Sequence, residues 1–178
     1  MPCAILNFLN NGSIGAFVGA FCASVGTYIV VRAADRAKEK RKATHGIPIF
    51  IGSAREAASQ QIRSIKGRDA LPAGQLQLVL GMPFETQLLR QLVTEAYRFL
   101  LQPQVLCLNK LLLYMKMADV INEQMHASWI RSREGQSANT QALEQLYLDQ
   151  LALLQQVESF SSAYLNGTID DRGIPAAD

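Results

Sequence analysis

The residues of this chain whose types and spacing suit acid–base or metal chemistry are few. Glu123 and His126 form an E-x-x-H pair, the half-motif that di-iron helical bundles project from one helix face. Such a site needs a second E-x-x-H, and no other glutamate stands three residues before a histidine. His45 stands beside Gly46 and Pro48, which predicts a loop position. We expect no metal, no cofactor and no catalytic residue, and we interpret the Glu123–His126 pair as a surface or packing pair.

Other motifs of catalysis are absent from the sequence. Cys3, Cys22 and Cys107 are too few and too scattered for a zinc site or a disulfide framework. The chain contains no glycine-rich phosphate loop, no G-x-S-x-G elbow and no C-x-x-C pair. The sequence therefore predicts a protein that is not an enzyme.

Charge is distributed very unevenly along the chain. Residues 32–68 hold ten Lys and Arg against three acids, a balance of +7, whereas residues 69–178 hold seven against twelve, a balance of −5. A basic block directly behind an apolar segment is typical of a membrane surface. It does not indicate nucleic acid as a partner.

The apolar segment is residues 13–31, which contain no charged side chain. Nineteen helical residues extend roughly 28 Å, close to the hydrocarbon thickness of a bilayer. A cleaved signal peptide is the main alternative, but residues 1–12 lack the Lys or Arg of an n-region. We predict a single transmembrane helix at 13–31 behind a short extracytoplasmic N-terminus at 1–12.

The positive-inside rule sets the predicted orientation. Basic residues follow the apolar segment and none precede it, which places the C-terminus in the cytoplasm and the N-terminus outside the inner (cell) membrane. Residues 32–46 are predicted to extend the helix as a basic juxtamembrane segment. We predict that its cations contact anionic lipid headgroups, and we call these six residues the basic collar: Arg32, Arg36, Lys38, Lys40, Arg41 and Lys42.

Small residues recur along one face of the predicted membrane helix. Gly15 and Gly19 form a G-x-x-x-G pair that Ala23 continues. Such a groove lets two helix backbones approach closely. It favours a homo-oligomer or a partner membrane protein, although glycine and alanine are also common in membrane helices generally.

Residues 47–166 are predicted to form a mainly α cytoplasmic domain of about four helices. Thr44–Pro48 is predicted to end the first helix, 47–51 and 75–80 are candidate short strands, and Ser53 is predicted to cap a helix that runs to about Lys66. Apolar residues at i, i+3 and i+4 spacing then predict helices at 84–101, 104–133 and from about 140 to 166. Asn166-Gly167 is a helix stop, and 167–178 is predicted to be a flexible tail.

These patterns predict a membrane-anchored, self-associating helical interaction module, as a subunit of a larger membrane complex. One alternative is a membrane-active effector whose oligomerised helices form a pore. Another is a membrane-bound hydrolase or nuclease, which the missing motifs disfavour.

Overall fold

The computed structural model describes residues 12–67, 82–133 and 140–176, and their side chains except at 12–18, 132–133 and 140. The helices are α1 (Gly12–Gly67), α2 (Thr86–Ala96), α3 (Gln102–Arg133) and α4 (Thr140–Asn166), with a 3-10 turn at Tyr97–Phe99. Within these ranges no strand forms, and one isolated bridge pairs Ile169 with Pro175. The prediction of a mainly α fold with about four helices is confirmed. The candidate strand at 75–80 lies outside the described residues.

The predicted helix break at Thr44–Pro48 is wrong, because α1 continues through Pro48. An internal proline removes one backbone hydrogen bond and costs about 3 kcal/mol. Pro48 itself is exposed, whereas Ile47, Ile51 and Ala54 are buried on one face of the helix. Burying each isoleucine returns about 1.5–3 kcal/mol, which offsets the lost bond. Residues 47–51 are therefore helical and not a strand, and Ser53 lies inside the helix instead of capping one.

The chain divides into two compact units, Met1–Lys42 and Ala43–Asp178. The first unit is helical over its described residues, including all of the basic collar. The second unit contains the hydrophobic core, whose buried members begin at Ile47.

The second unit is built around the pair α3 and α4. Leu108, Leu111 and Met115 of α3 and Leu154 and Val157 of α4 are completely buried in one core. The rings of Tyr114 and Phe160 lie 5.2 Å apart between centroids. The apolar residues on this face of α3 and α4 thus form a protein core.

Polar contacts attach the other two helices of this unit. Ser59 of α1 donates a hydrogen bond of 2.5 Å to the Glu158 carboxylate of α4. The backbone N–H of Phe84, just before α2, donates one of 3.0 Å to Asp119 of α3. Leu92 of α2 lies against Gly46 of α1, 2.9 Å from where a Cβ on that glycine would be.

The α2–α3 connection shows how the predicted 84–101 helix ends early. After the 3-10 turn Leu100 is extended, with φ −87° and ψ 145°. Pro103 then occupies the first turn of α3. Backbone N–H groups in a first turn have no acceptor within the helix, so a proline there removes no helical hydrogen bond. The Gln104 side chain accepts a 3.0 Å hydrogen bond from the Leu101 N–H, as in the second half of a capping box.

After α4 the described residues 167–176 form a turn, and the flexibility of the tail at 167–178 stays a prediction. Gly167 ends α4 with φ +72°, as its position after Asn166 predicts. We call residues 167–176 the C-terminal turn. The Asp170 carboxylate accepts hydrogen bonds from the N–H groups of Arg172 and Ile174 at 2.9 and 2.8 Å. Lys110 of α3 donates one of 2.8 Å to the Arg172 carbonyl.

Candidate functional site

Residues with metal or acid–base chemistry do not converge in the described part of the chain. Glu123, His126 and His45 are all exposed. No group of three or more His, Cys, Asp or Glu side chains within the described residues could hold a metal ion. Burial raises the pKa of Cys107 to about 11, which leaves this thiol protonated and a poor nucleophile.

The described part of the predicted membrane segment, residues 19–31, is exposed throughout. Its large apolar side chains are between 41% and 67% exposed, and they are Phe21, Val25, Tyr28, Ile29, Val30 and Val31. Single exposed apolar residues are ordinary on a protein surface, whereas a contiguous exposed set of this kind is uncommon.

The Ser24 and Thr27 hydroxyls of this segment are satisfied within the helix itself. Ser24 donates a 2.7 Å hydrogen bond to the carbonyl of Ala20, and Thr27 donates one of 2.8 Å to that of Ala23. In an apolar environment an unsatisfied hydroxyl costs several kcal/mol, roughly 2–7. Residues 19–31 therefore present a mainly apolar exterior, although they contain a serine and a threonine.

The small-residue face is open where it is described. A Cβ added at Gly19 would meet no atom within 4 Å, and Ala23 is exposed. The environment of Gly15 lies outside the described residues. The structure thus leaves room for another chain at Gly19, and the packing role of Gly15, Gly19 and Ala23 stays a prediction.

The boundary between apolar and basic residues carries a cation–π contact. The Arg32 guanidinium lies 5.4 Å from the centroid of the Tyr28 ring, and the side chains of the basic collar are exposed. Aromatic and basic residues combined in this way are typical of a helix at a lipid headgroup layer. Contact of the collar with lipid stays a prediction.

Across the described residues, no helix contains a stretch long and apolar enough to cross a membrane. Of the predicted transmembrane helix, the side chains of Ser13–Val18 lie outside the described residues.

The second unit contains a groove between α2 and α3, with a volume of about 540 Å³. Its apolar lining comes from both helices, in Val93, Val105, Leu112 and Leu113. The polar lining residues are Thr94, Tyr97 and Asn109. The volume is within the range of roughly 300–1,000 Å³ of known ligand pockets. We call this feature the α2–α3 groove.

The charged residues of the α2–α3 groove are Arg90 of α2 and Lys116 of α3. No acidic residue lines it. The ion pairs Arg63–Glu56 and Arg172–Asp170 lie on other elements. The groove is consequently a basic, apolar site within a sequence region whose own balance is −5.

The lining of the groove contains no histidine, cysteine or carboxylate. Asp119 is half-buried one turn from Lys116, but it is occupied by the Phe84 N–H. Burial raises its pKa, and that hydrogen bond opposes the rise. The lining residues provide shape, apolar area and two cations, which suits binding.

Comparison with known proteins finds no match for this chain among protein-family models, curated proteins or solved structures.

No motif in the sequence marks the α2–α3 groove. The signal that could have found it is the apolar pattern of α3, which occupies both sides of the helix. Leu108, Leu111 and Met115 are buried, whereas Leu113 and Met117 are exposed. A helix that is apolar on two faces needs a second covering surface.

Proposed function

We propose that this protein is a helical interaction module held at the cytoplasmic face of a membrane by the segment 13–31. The observation that carries the proposal is the apolar exterior of residues 19–31, whose large apolar side chains are exposed and whose Ser24 and Thr27 hydroxyls bond to their own helix. Either lipid or a partner helix is needed to cover such a surface. A full span takes about 20 residues and so includes Ser13–Val18.

Two further features support this function. The basic collar directly follows the apolar segment, and each cation near an anionic leaflet contributes about 1 kcal/mol of membrane affinity. The second unit offers the α2–α3 groove, which has a lining suited to binding. Self-association through Gly15, Gly19 and Ala23 is part of the proposal. The internally bonded hydroxyls favour an anchor over a water-filled pore.

The test is alkaline carbonate extraction of membranes from cells that express the full chain. We expect the wild-type protein to stay in the membrane pellet. Val25→Arg places a cation in the middle of the apolar segment, at a cost of about 2.5–3.5 kcal/mol of insertion free energy. We expect much of this variant protein to move to the supernatant. Ser64→Arg, on the exposed surface of α1, is the matched control.

A reporter fused after Asp178 tests the orientation in the same cells. We expect activity only from a reporter that works in the cytoplasm, because the basic collar follows the segment and no basic residue precedes it. Complete extraction of the wild-type chain by carbonate contradicts the anchor. An extracytoplasmic reporter contradicts the orientation alone.

A further inference from the structure

The outer side of α3 carries an apolar strip opposite the core. Leu113, Met117 and Val120 are 55%, 44% and 51% exposed, and their i, i+4, i+7 spacing places them on one helix face. Leu113 also lines the α2–α3 groove, so the strip and the groove are continuous. From Leu113 to Val120 the strip extends roughly 10 Å along the helix axis at 1.5 Å per residue.

The floor of the groove is already desolvated. Val93 and Leu112 are 6% and 8% exposed, and both line the cavity. A volume of about 540 Å³ can receive several apolar side chains. A partner that fills it gains apolar contact with residues that are already held in place by the core.

The charges specify the occupant further. Arg90 and Lys116 line the groove from its two helices, and no acidic lining residue neutralises them. Within the described residues neither side chain forms an ion pair. A partner with carboxylates beside its apolar residues would complement both the floor and the two cations.

The shape of the groove and strip favours a helix over a small amphiphile as the ligand. A single acyl chain would fill the cavity but leave Met117 and Val120 uncovered. An amphipathic helix lies along a groove with apolar residues at i, i+3, i+4 and i+7, which matches both the strip and the cavity. Nucleic acid would use the two cations but would leave the apolar strip exposed.

We propose that the α2–α3 groove binds an amphipathic helix of a partner protein, with acidic residues beside its apolar face. The inference rests on the proposed function as an interaction module and names the chemistry of its partner. It does not depend on the membrane segment, since every residue that carries it belongs to the second unit.

The probe is a display library of helix-forming 18-residue peptides, randomised on one face and selected against the full chain in lipid nanodiscs. We expect enriched peptides to combine an apolar i, i+3, i+4, i+7 pattern with net negative charge. We expect the selected peptides, labelled with a fluorophore, to bind the double variant Arg90→Glu/Lys116→Glu at least tenfold more weakly than the wild-type protein. Arg55→Glu/Lys66→Glu reverses two exposed cations of α1 outside the groove lining and is expected to bind like wild type.

A second variant tests the strip with no change in the two cations. Met117→Asp adds a charge at an exposed position, so the variant should fold. We expect it to bind the same peptides at least fivefold more weakly than wild type. No enrichment, enrichment of neutral or basic peptides, or equal binding to both charge-reversed proteins would overturn the proposal. Displacement of the peptides by laurate at its monomeric concentration, with no effect of Met117→Asp, would instead assign the groove to a fatty acid. Carbonate extraction tests separately whether the segment 13–31 anchors the protein in a membrane.

Discussion

Gly173 is the residue at which the backbone of the C-terminal turn most closely approaches another element. Its φ is +68°, and a Cβ there would lie 2.5 Å from Leu106 Cβ, 2.7 Å from Cys107 N and 2.9 Å from Pro103 O. Because two of these atoms are backbone, they cannot move aside cheaply. We expect Gly173→Ala to lower the free energy of unfolding by about 2–4 kcal/mol, from left-handed strain and overlap together.

Gly167→Ala separates these two causes. Gly167 also has a positive φ, +72°, but a Cβ there would meet nothing within 4 Å. The expected loss is about 1 kcal/mol, from backbone strain alone. Denaturant unfolding of both variants measures the difference. Equal losses would mean that Gly173 does not pack against the start of α3.

The two described cysteines are expected to differ sharply in reactivity. Cys22 is exposed and Cys107 is buried, and burial raises the pKa of Cys107 to about 11. Only about one Cys107 in a thousand is then a thiolate at pH 8, and the thiolate is the nucleophile. N-Ethylmaleimide, which enters detergent micelles, should label Cys22 in the detergent-solubilised native protein and Cys107 only after unfolding, as read by peptide mass spectrometry. Similar labelling rates would show that Cys107 is accessible.

At the scale of elements, the C-terminal turn is expected to be sensitive to acid. Hydrogen bonds from the Ile174 and Arg172 N–H groups and the Arg172 side chain hold the pKa of Asp170 below its ordinary 3.8. A lowered pKa in the folded state means that ionised Asp170 stabilises the turn above that ordinary value. This stabilisation is lost as the pH falls through the lowered value.

Asp170→Asn is accordingly expected to lower the melting temperature at pH 7, and its difference from wild type should narrow below about pH 4. Asp171→Asn, at the exposed neighbouring position, is the control. The amide resonances of Arg172 and Ile174 should titrate with Asp170. A difference that stays constant down to pH 2.5 would contradict a stabilising role of the charge.

Two leucines of α4 differ strongly in the exposure of their side chains. Leu154 is 0% exposed and Leu148 is 60% exposed. Leu154→Asp buries an unpaired charge, and we expect a loss of about 4 kcal/mol or more, enough to unfold the second unit. Leu148→Asp is expected to change stability by less than about 0.5 kcal/mol. Circular dichroism melting of the two variants provides the measurement, and cooperative melting of Leu154→Asp at the wild-type temperature would contradict the observed packing.

Helix periodicity predicted most of this fold because the buried stripes of α3 and α4 are long and regular. Leu143, Tyr147, Leu154 and Val157 recur at intervals of three, four and seven residues along α4, and all are buried. The errors arose where local signals conflict with tertiary packing. Gly46 and Pro48 disfavour a helix locally, but contact with Leu92 and burial of Ile47 determine the result.

The candidate sites were predictable to different degrees. The apolar segment and the basic collar are local in sequence and can be recognised from composition. The charged lining of the α2–α3 groove comes from Arg90 and Lys116, which are 26 positions apart in the sequence. The two residues line the same cavity only because α2 packs against α3. A single sequence contains no signal for such a pairing.

At the scale of the whole molecule, charge and apolar surface are segregated between the two units. The first unit presents the uncharged residues 19–31 and the basic collar. Residues 69–178 of the second unit have an acidic balance, and the α2–α3 groove within them is lined by two cations and no acid. This division suits a protein whose first unit recognises a membrane and whose second unit recognises a protein.

Self-association is the property of the whole molecule that the small-residue face predicts. A Cβ added at Gly19 meets no atom within 4 Å of its own chain, so Gly19→Ile has nothing to clash with unless a second helix lies there. In an oligomer packed through Gly15, Gly19 and Ala23 the branched side chain would force the backbones apart. We expect a loss on the order of 1–2 kcal/mol per helix contact, comparable with interhelical interactions in membranes.

Oxidative cross-linking through the exposed Cys22 in native membranes measures this loss, with Cys3→Ser as the background. Ser24→Ile is the matched control, because Ser24 is also small but lies roughly 140° around the helix from Gly19, at 100° per residue. We expect cross-linking to fall severalfold in Gly19→Ile and to persist in Ser24→Ile. Both variants should remain in the carbonate-resistant pellet, since isoleucine is more apolar than either residue it replaces. Undiminished cross-linking in Gly19→Ile would remove this face from the interface and leave its glycines as ordinary helix composition.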